Sequence, residues 1–216
     1  MTDKSDDKRM KTGTTTVGIL SEDAVVLAAD KRSTLGGRII HSKDANKISR
    51  VNNRAVITQS GTVSTIQVVK KVLKAQIRLR ELDAGRKLKV GEIAQLLSSS
   101  NFRNARNPRP EVAHWLLGGY DSKPHLFDVM PDGAVSEAPV EDGYLASGSG
   151  MMFALSVLED GYSEELSQEE ATALAIRAVR AATKRDTSSG NGIDVFVVDE
   201  DGARHVEKHV IKTVLE

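Results

Sequence analysis

Gly13 and Thr14 open the run Gly13, Thr14, Thr15, Thr16, Val17, Gly18, and cutting between them would put a hydroxyl nucleophile and a free α-amine on one residue. A threonine hydroxyl needs a base, and an α-amine with an ordinary pKa of about 7.7–8.0 is partly neutral near pH 7 and can be that base. Glycine before the threonine lets the chain take a strained turn and leaves its carbonyl open to attack by the Thr14 hydroxyl, as self-cleavage requires. The threonine triplet also has a plainer use, because β-branched residues often begin strands.

Other residues downstream carry the same double reading. Asp30 closes the run Ala24 to Ala29 and is either half of a surface ion pair or a buried strand end paired with Lys47. Lys47, between Asn46 and Ile48, would normally snorkel to solvent; beside Thr14 its charge would favour the alkoxide and the neutral amine. Gly61 is a connector or an unobstructed N–H aimed at a developing oxyanion. The segment Ser147 to Gly150 lacks the lysine and spacing of a nucleotide phosphate loop. Asp186 and Ser189 form a helix-terminal turn or hold the amine that cleavage would free. His205 and His209 are four apart with no Asp, Glu or Cys constellation near them in sequence, so they read as surface residues and no metal site is expected.

Positioning these groups falls to strands and helices legible from hydrophobic period. Thr15 to Leu20 and Ala24 to Ala29 read as a hairpin around Ser21, Glu22 and Asp23, continued by strands over Arg38 to Ser42, Lys47 to Val51 and Arg54 to Gln59. From Val63 the period changes, and Ile66, Val69, Leu73 and Ile77 mark one helical face. Ile93, Leu96 and Leu97 imply a second helix that gives way to a solvated loop over Ser98 to Pro110, with Arg103, Arg106 and Arg109 exposed. Strands follow at Val112 to Leu117, His125 to Met130 and Ala134 to Val140, punctuated by Gly118, Gly119 and a Pro131, Asp132, Gly133 turn. Met151 to Glu159 reads helical, and Ser167 with Glu170 is a capping box for a helix with the small-residue face Ala171, Leu174, Ala175, Ala178, Ala182. Strands at Ile193 to Val198 and His205 to Val210 finish the chain. The layout is two sheets with helices outside them.

Composition excludes several classes. The 216 residues fit one domain with a sizeable core. Lys plus Arg equals Asp plus Glu at 30 each, so charge gives no case for a nucleic-acid or membrane partner. No run reaches the roughly 18 apolar residues of a membrane helix. Without cysteine there is no disulfide framework, which fits a reducing cytoplasm. Met1 to Gly13 is charged, contains no apolar run, and reads as a solvated tail or a short propeptide.

Taken in order, Thr14 to Gly18, Ala28 to Asp30, Lys47, Ser60 to Gly61, Gly148 to Gly150 and Arg185 to Gly190 resemble the catalytic β subunits of archaeal-type proteasome core particles, and the likeness covers essentially everything after Gly13. The resemblance implies an α+β chain of the Ntn-hydrolase fold, a four-layer αββα sandwich of two antiparallel sheets. It implies a propeptide, residues 1–13, removed by autocleavage at Gly13 and Thr14, and one catalytic domain over 14–216. Thr14 would be nucleophile and, through its amine, base; Asp30 and Lys47 would tune it. Gly61 would supply the oxyanion N–H, while Ser149, Asp186 and Ser189 would orient the amine and a water. Ser33, Thr34, Gln59 and Val63 would line the specificity pocket, with Gln59 turning it away from large apolar residues.

The same resemblance implies hydrolysis of unfolded polypeptide without metal or organic cofactor, in a cytoplasmic four-ring stack of heptamers with proteasome α subunits and other β subunits, fed by a regulatory ATPase through the α ring. Two departures from the family pattern stand out. The segment between Asp30 and Lys47 is one residue longer than usual, so Lys47 is matched by its Lys-Ile context, and Met151 stands where many relatives carry a second serine. The bacterial two-ring relative shares the Thr-Thr start, but the extended chain from Ser163 to Glu216 favours the proteasome type. A small-molecule amidohydrolase of the same fold is a further alternative. A non-catalytic ring subunit would be expected to lose the nucleophile or its lysine, whereas Thr14, Asp30, Lys47 and Asp186 are all present.

Overall fold

The computed structural model describes residues 11–206 apart from 36, 109, 112, 140 and 141, with the backbone alone of residues 11 and 12. Its first seven strands are β1 (Lys11–Thr12), β2 (Thr16–Leu20), β3 (Val25–Asp30), β4 (Ser33–Leu35), β5 (Ile39–Ser42), β6 (Ile48–Asn52) and β7 (Ala55–Thr62). Helices α1 (Val63–Ala84) and α2 (Val90–Ala105) follow, then β8 (Ala113–Tyr120), β9 (Pro124–Val129), β10 (Val135–Glu137) and β11 (Tyr144–Ser147). Helices α3 (Met151–Gly161) and α4 (Gln168–Thr183) precede the last pair, β12 (Ile193–Asp199) and β13 (Gly202–His205).

The strands form two main antiparallel sheets. One has the order β1-β7-β8-β9-β10 with β6 also on β7; the other runs β11-β2-β3-β12-β13; β4 and β5 form a separate ribbon. Side-chain alternation sorts the strands into layers. On β3, Val25, Leu27 and Ala29 point between the sheets, where Val56, Leu116 and Leu126 meet them. Val26 and Ala28 point the other way, onto Ala171, Leu174, Ala175 and Ala178 of α4. Across the molecule Ala55, Ile57, Trp115 and Leu117 face Ile66, Leu73 and Ile77 of α1 and Ile93 and Leu97 of α2. The result is helices, sheet, sheet, helices. The α+β sandwich expected from the sequence is the fold observed.

The alanine face of α4 lets that helix approach its sheet closely, and its start is as expected: Ser167 Oγ accepts from Glu170 N while the Glu170 carboxylate accepts from Ser167 N. The first-helix face also stands, with Ile66, Leu73 and Ile77 buried.

Four expectations are corrected. The segment Ser98 to Pro110 is not a loop throughout, because α2 continues to Ala105. Asn101, a poor helix former, is 1% exposed there; its amide nitrogen donates to the carbonyls of Ala113 and Met130, and its oxygen accepts from Trp115 Nε1. Tertiary hydrogen bonds therefore override propensity. Arg103 and Arg106 are exposed, as expected, and Arg109 lies outside the described residues.

Gly118 and Gly119 do not end β8 but lie inside it. A Cβ on Gly118 would meet Leu27 at 3.0 Å, and one on Gly119 would meet Val90 at 2.8 Å, so both mark close packing. The residues before Thr14 are not simply a solvated tail, since Lys11 and Thr12 pair with Thr62 and Gly61 and Gly13 is buried. The last described strand, β13 (Gly202–His205), begins three residues before the expected start at His205, and residues 207–210 of that expected strand, with His209, lie outside the described residues. Val112 and Val140, at the ends of expected strands, also lie outside them.

Candidate active site

β2 and β3 place Thr14 and Asp30 side by side, because the register Thr16↔Ala29 brings the start of one strand to the end of the other. Asp30 is 0% exposed, and its two oxygens accept four hydrogen bonds. Oδ1 takes Lys47 Nζ at 2.7 Å and Thr15 N at 2.9 Å; Oδ2 takes Arg32 N at 3.0 Å and Gly190 N at 2.8 Å. Lys47, just before β6, is itself buried. Its Nζ donates to the Gly13 carbonyl at 2.9 Å, and the Thr14 hydroxyl donates to that same oxygen at 2.8 Å. Burial pushes the Lys47 pKa below its ordinary value, with the Asp30 charge pulling the other way. The segment between Asp30 and Lys47 carries the β4–β5 ribbon, and the Lys47 ammonium reaches Asp30 at 2.7 Å.

A second group approaches Thr14 from the turn after β11. Thr14 N donates to Ser149 Oγ at 3.2 Å, and Ser149 Oγ donates to Asp186 Oδ2 at 2.6 Å. Ser189 Oγ donates to that same oxygen at 2.6 Å and lies 2.7 Å from Thr15 Oγ1. Among the described residues this network closes on Asp186 without a contribution from the side chain of Met151. Gly61 pairs with Thr12 on one side and Ala113 on the other, which sets its backbone one step from the Gly13–Thr14 bond. The seven expected site residues therefore form one connected cluster around the Gly13–Thr14 bond, with Asp186 and Ser189 linked to it through Ser149 and Thr15.

A cavity of about 280 Å³ opens beside Thr14. Its walls include Ser33, Thr34, Gln59 and Val63, the four expected lining residues, together with His41 and Lys70. Gln59 donates its amide N–H to Asn46 O at 2.9 Å, while its buried amide oxygen has no hydrogen-bond partner among the described residues. Thr34 has a second contact, its Oγ1 accepting from Gly13 N at 3.3 Å.

Comparison with known proteins gives the family of the chain. The family model described as "Proteasome subunit" matches residues 10–198. The chain is 39% identical to proteasome subunit beta 2 of Pyrococcus abyssi over 94% of its own length and 95% of that protein's. It is 37% identical to proteasome subunit beta 1 of Thermococcus onnurineus, covering 94% and 97%, and 38% identical to proteasome subunit beta of Haloferax volcanii, covering 96% and 82%. This chain belongs to the proteasome subunit family.

In this family member the tightest packing around Thr14 depends on two glycines whose close neighbours the sequence does not reveal. Gly148 has φ +95°, and a Cβ there would lie 2.1 Å from the Thr14 carbonyl oxygen. A Cβ on Gly13 would lie 1.7 Å from Ser188 Cβ, so that glycine is required by its neighbour as well as by any cleavage. Thr15, Ser188 and the backbone of Gly190, inside the sequence motifs but without an expected role there, complete the cradle. Gly148→Ala is expected to cost about 2 kcal/mol or more, from the clash and the left-handed backbone together. Urea denaturation measures it, and an unchanged midpoint would contradict the packing described.

Proposed function

We propose that this chain is a catalytic β subunit of the proteasome core particle, a threonine-type endopeptidase that first removes its own residues 1–13. The observation that carries the reading is the meeting of the Thr14 hydroxyl and the Lys47 ammonium on one carbonyl oxygen, that of Gly13. In the self-cleavage this supports, Thr14 Oγ1 attacks the Gly13 carbonyl carbon and gives its proton to a water, while the Lys47 ammonium on that carbonyl faces the new oxyanion. The water returns the proton to the Thr14 nitrogen as the C–N bond breaks. Water hydrolyses the Gly13 ester, leaving a free hydroxyl and a free amine on Thr14.

In turnover the amine takes the hydroxyl proton, Thr14 Oγ1 attacks the substrate carbonyl, and the Gly61 N–H receives the oxyanion, an interaction worth about 3 kcal/mol of barrier in comparable sites. The proton passes to the leaving amine, and water releases the acyl group. Ser149, Asp186 and Ser189 hold the amine in place. The substrate takes the path of Lys11 and Thr12, as an added strand beside Gly61 and Thr62. The chain assembles in the cytoplasm with proteasome α subunits and other β subunits as a four-ring stack of heptamers, receiving unfolded polypeptide from a regulatory ATPase through the α ring. Denaturing quench during turnover of an activated peptide ester is expected to leave the acyl mass on the peptide that begins at Thr14; an adduct on another residue contradicts the mechanism.

The pocket sets a preference. No carboxylate is among the described residues that line it, whereas Lys47, Lys70 and His41 are, and the polar Gln59 forms part of its wall. Arginine before the scissile bond is therefore expected to give kcat/KM at least about tenfold below glutamine or glutamate there, since like charges in a partly dry site repel. Equal or better cleavage after arginine would contradict this.

A further inference from the structure

A hydrogen-bonded chain crosses from one sheet to the other behind Thr14 and has no part in the chemistry above. Ser60 Oγ on β7 lies 2.9 Å from Ser147 Oγ on β11, and Ser147 Oγ lies 2.9 Å from Nδ1 of His114 on β8. His114 Nε2 lies 2.5 Å from Asp128 Oδ1 on β9. The order serine, histidine, aspartate invites comparison with a hydrolase triad. Ser147 is 1% exposed and its oxygen is taken up by Ser60, so no carbonyl can reach it. The chain is a support, not a second nucleophile.

Donor bookkeeping gives it one direction. The Asp128 carboxylate only accepts, so Nε2 carries a ring proton, and in the neutral form of the ring that leaves Nδ1 with a lone pair. Ser147 then donates to Nδ1, and Ser60 donates to Ser147. Both serines adjoin the residues argued to act on Thr14. Ser60 precedes Gly61; Ser147 precedes Gly148, against which the Thr14 carbonyl packs, and Ser149, which accepts from Thr14 N. Gly150 N also donates to the Thr14 carbonyl at 3.3 Å.

We infer that His114 is a positioning residue for the proposed hydrolase: by accepting from Ser147 through Nδ1 it fixes the Ser60–Gly61 and Ser147–Ser149 segments about Thr14. This rests on Thr14 being the nucleophile. Its readout is a change in kcat much larger than that in KM, because it sets the groups that act on the reacting carbonyl while the side-chain pocket is lined by other residues.

The two conservative replacements separate the ring nitrogens. Asparagine carries its amide oxygen at the reach of Nδ1 and can still accept from Ser147; glutamine reaches Asp128 but leaves Ser147 without an acceptor. In the assembled particle, each variant being checked by intact mass for a Thr14 start, His114→Gln is expected to lower kcat about 10²-fold, as misplacement near a reacting centre does, with KM within about threefold. His114→Asn is expected to stay within about tenfold of wild type. Ser147→Ala, which cuts the chain beyond the ring and removes only one oxygen, is expected to reproduce the His114→Gln loss and serves if a His114 variant fails to assemble. Wild-type kcat in His114→Gln or Ser147→Ala, or equal losses in the asparagine and glutamine variants, would overturn the inference. A wild-type particle without peptidase activity would instead remove the reading of Thr14 on which it rests.

Discussion

Thr14→Ala is expected to leave residues 1–13 attached and to reduce peptide turnover by on the order of 10⁴-fold or more, the scale seen when a nucleophile is removed. Both losses come from one oxygen. In the uncut chain that oxygen lies 2.8 Å from the Gly13 carbonyl oxygen it is argued to attack through the adjoining carbon. A chain begun at position 14 with alanine there removes processing from the question and is still expected to be inactive, whereas one begun with Thr14 is expected to be active without any cleavage step. Thr14→Ser keeps the hydroxyl and is expected to retain both reactions at a reduced rate. Turnover in the alanine variant equal to wild type would remove Thr14 from the mechanism.

Lys47→Met is expected to abolish turnover and, in addition, to destabilise the fold by about 3–5 kcal/mol, because it strands a fully buried carboxylate with only backbone N–H partners. The double replacement Asp30→Asn with Lys47→Met removes both charges together. It is expected to recover most of the stability and none of the turnover. Urea denaturation and kcat/KM on the same three proteins separate the structural duty of the ion pair from the chemical duty of the lysine. Recovered turnover in the double variant would show that the pair only supports the fold, and wild-type kinetics in Lys47→Met would show that another lysine occupies the catalytic place.

The fold was legible where period and composition agreed. The apolar run Ala24 to Ala29 announced a strand, and the alanine face from Ala171 to Ala182 announced a closely packed helix. It was not legible where distant partners decide. Ser98 to Asn101 look like a helix end, yet Asn101 is helical because Ala113, Met130 and Trp115 satisfy its amide. Glycines 118 and 119 look like a strand end, yet side chains from β3 and α2 fill the space their own would need.

The site divides in the same way. Thr14, Asp30, Lys47 and Asp186 each had an ordinary structural reading in the sequence, and what set them apart was the order of their motifs, which resembles that of a known family. Nothing in the sequence marked His114, Asp128, Ser60 and Ser147 as a connected set, since they come from four strands that only the sheet order brings together. The pairing of Lys11 and Thr12 with β7 was equally hidden, because a charged segment before a glycine resembles a free tail until its partner edge is known.

The intact mass of the chain in the assembled, peptide-degrading particle tests the central claim most directly. The account predicts a polypeptide whose first residue is Thr14 with an unblocked amine. An active particle in which Thr14 is still joined to Gly13 would contradict it.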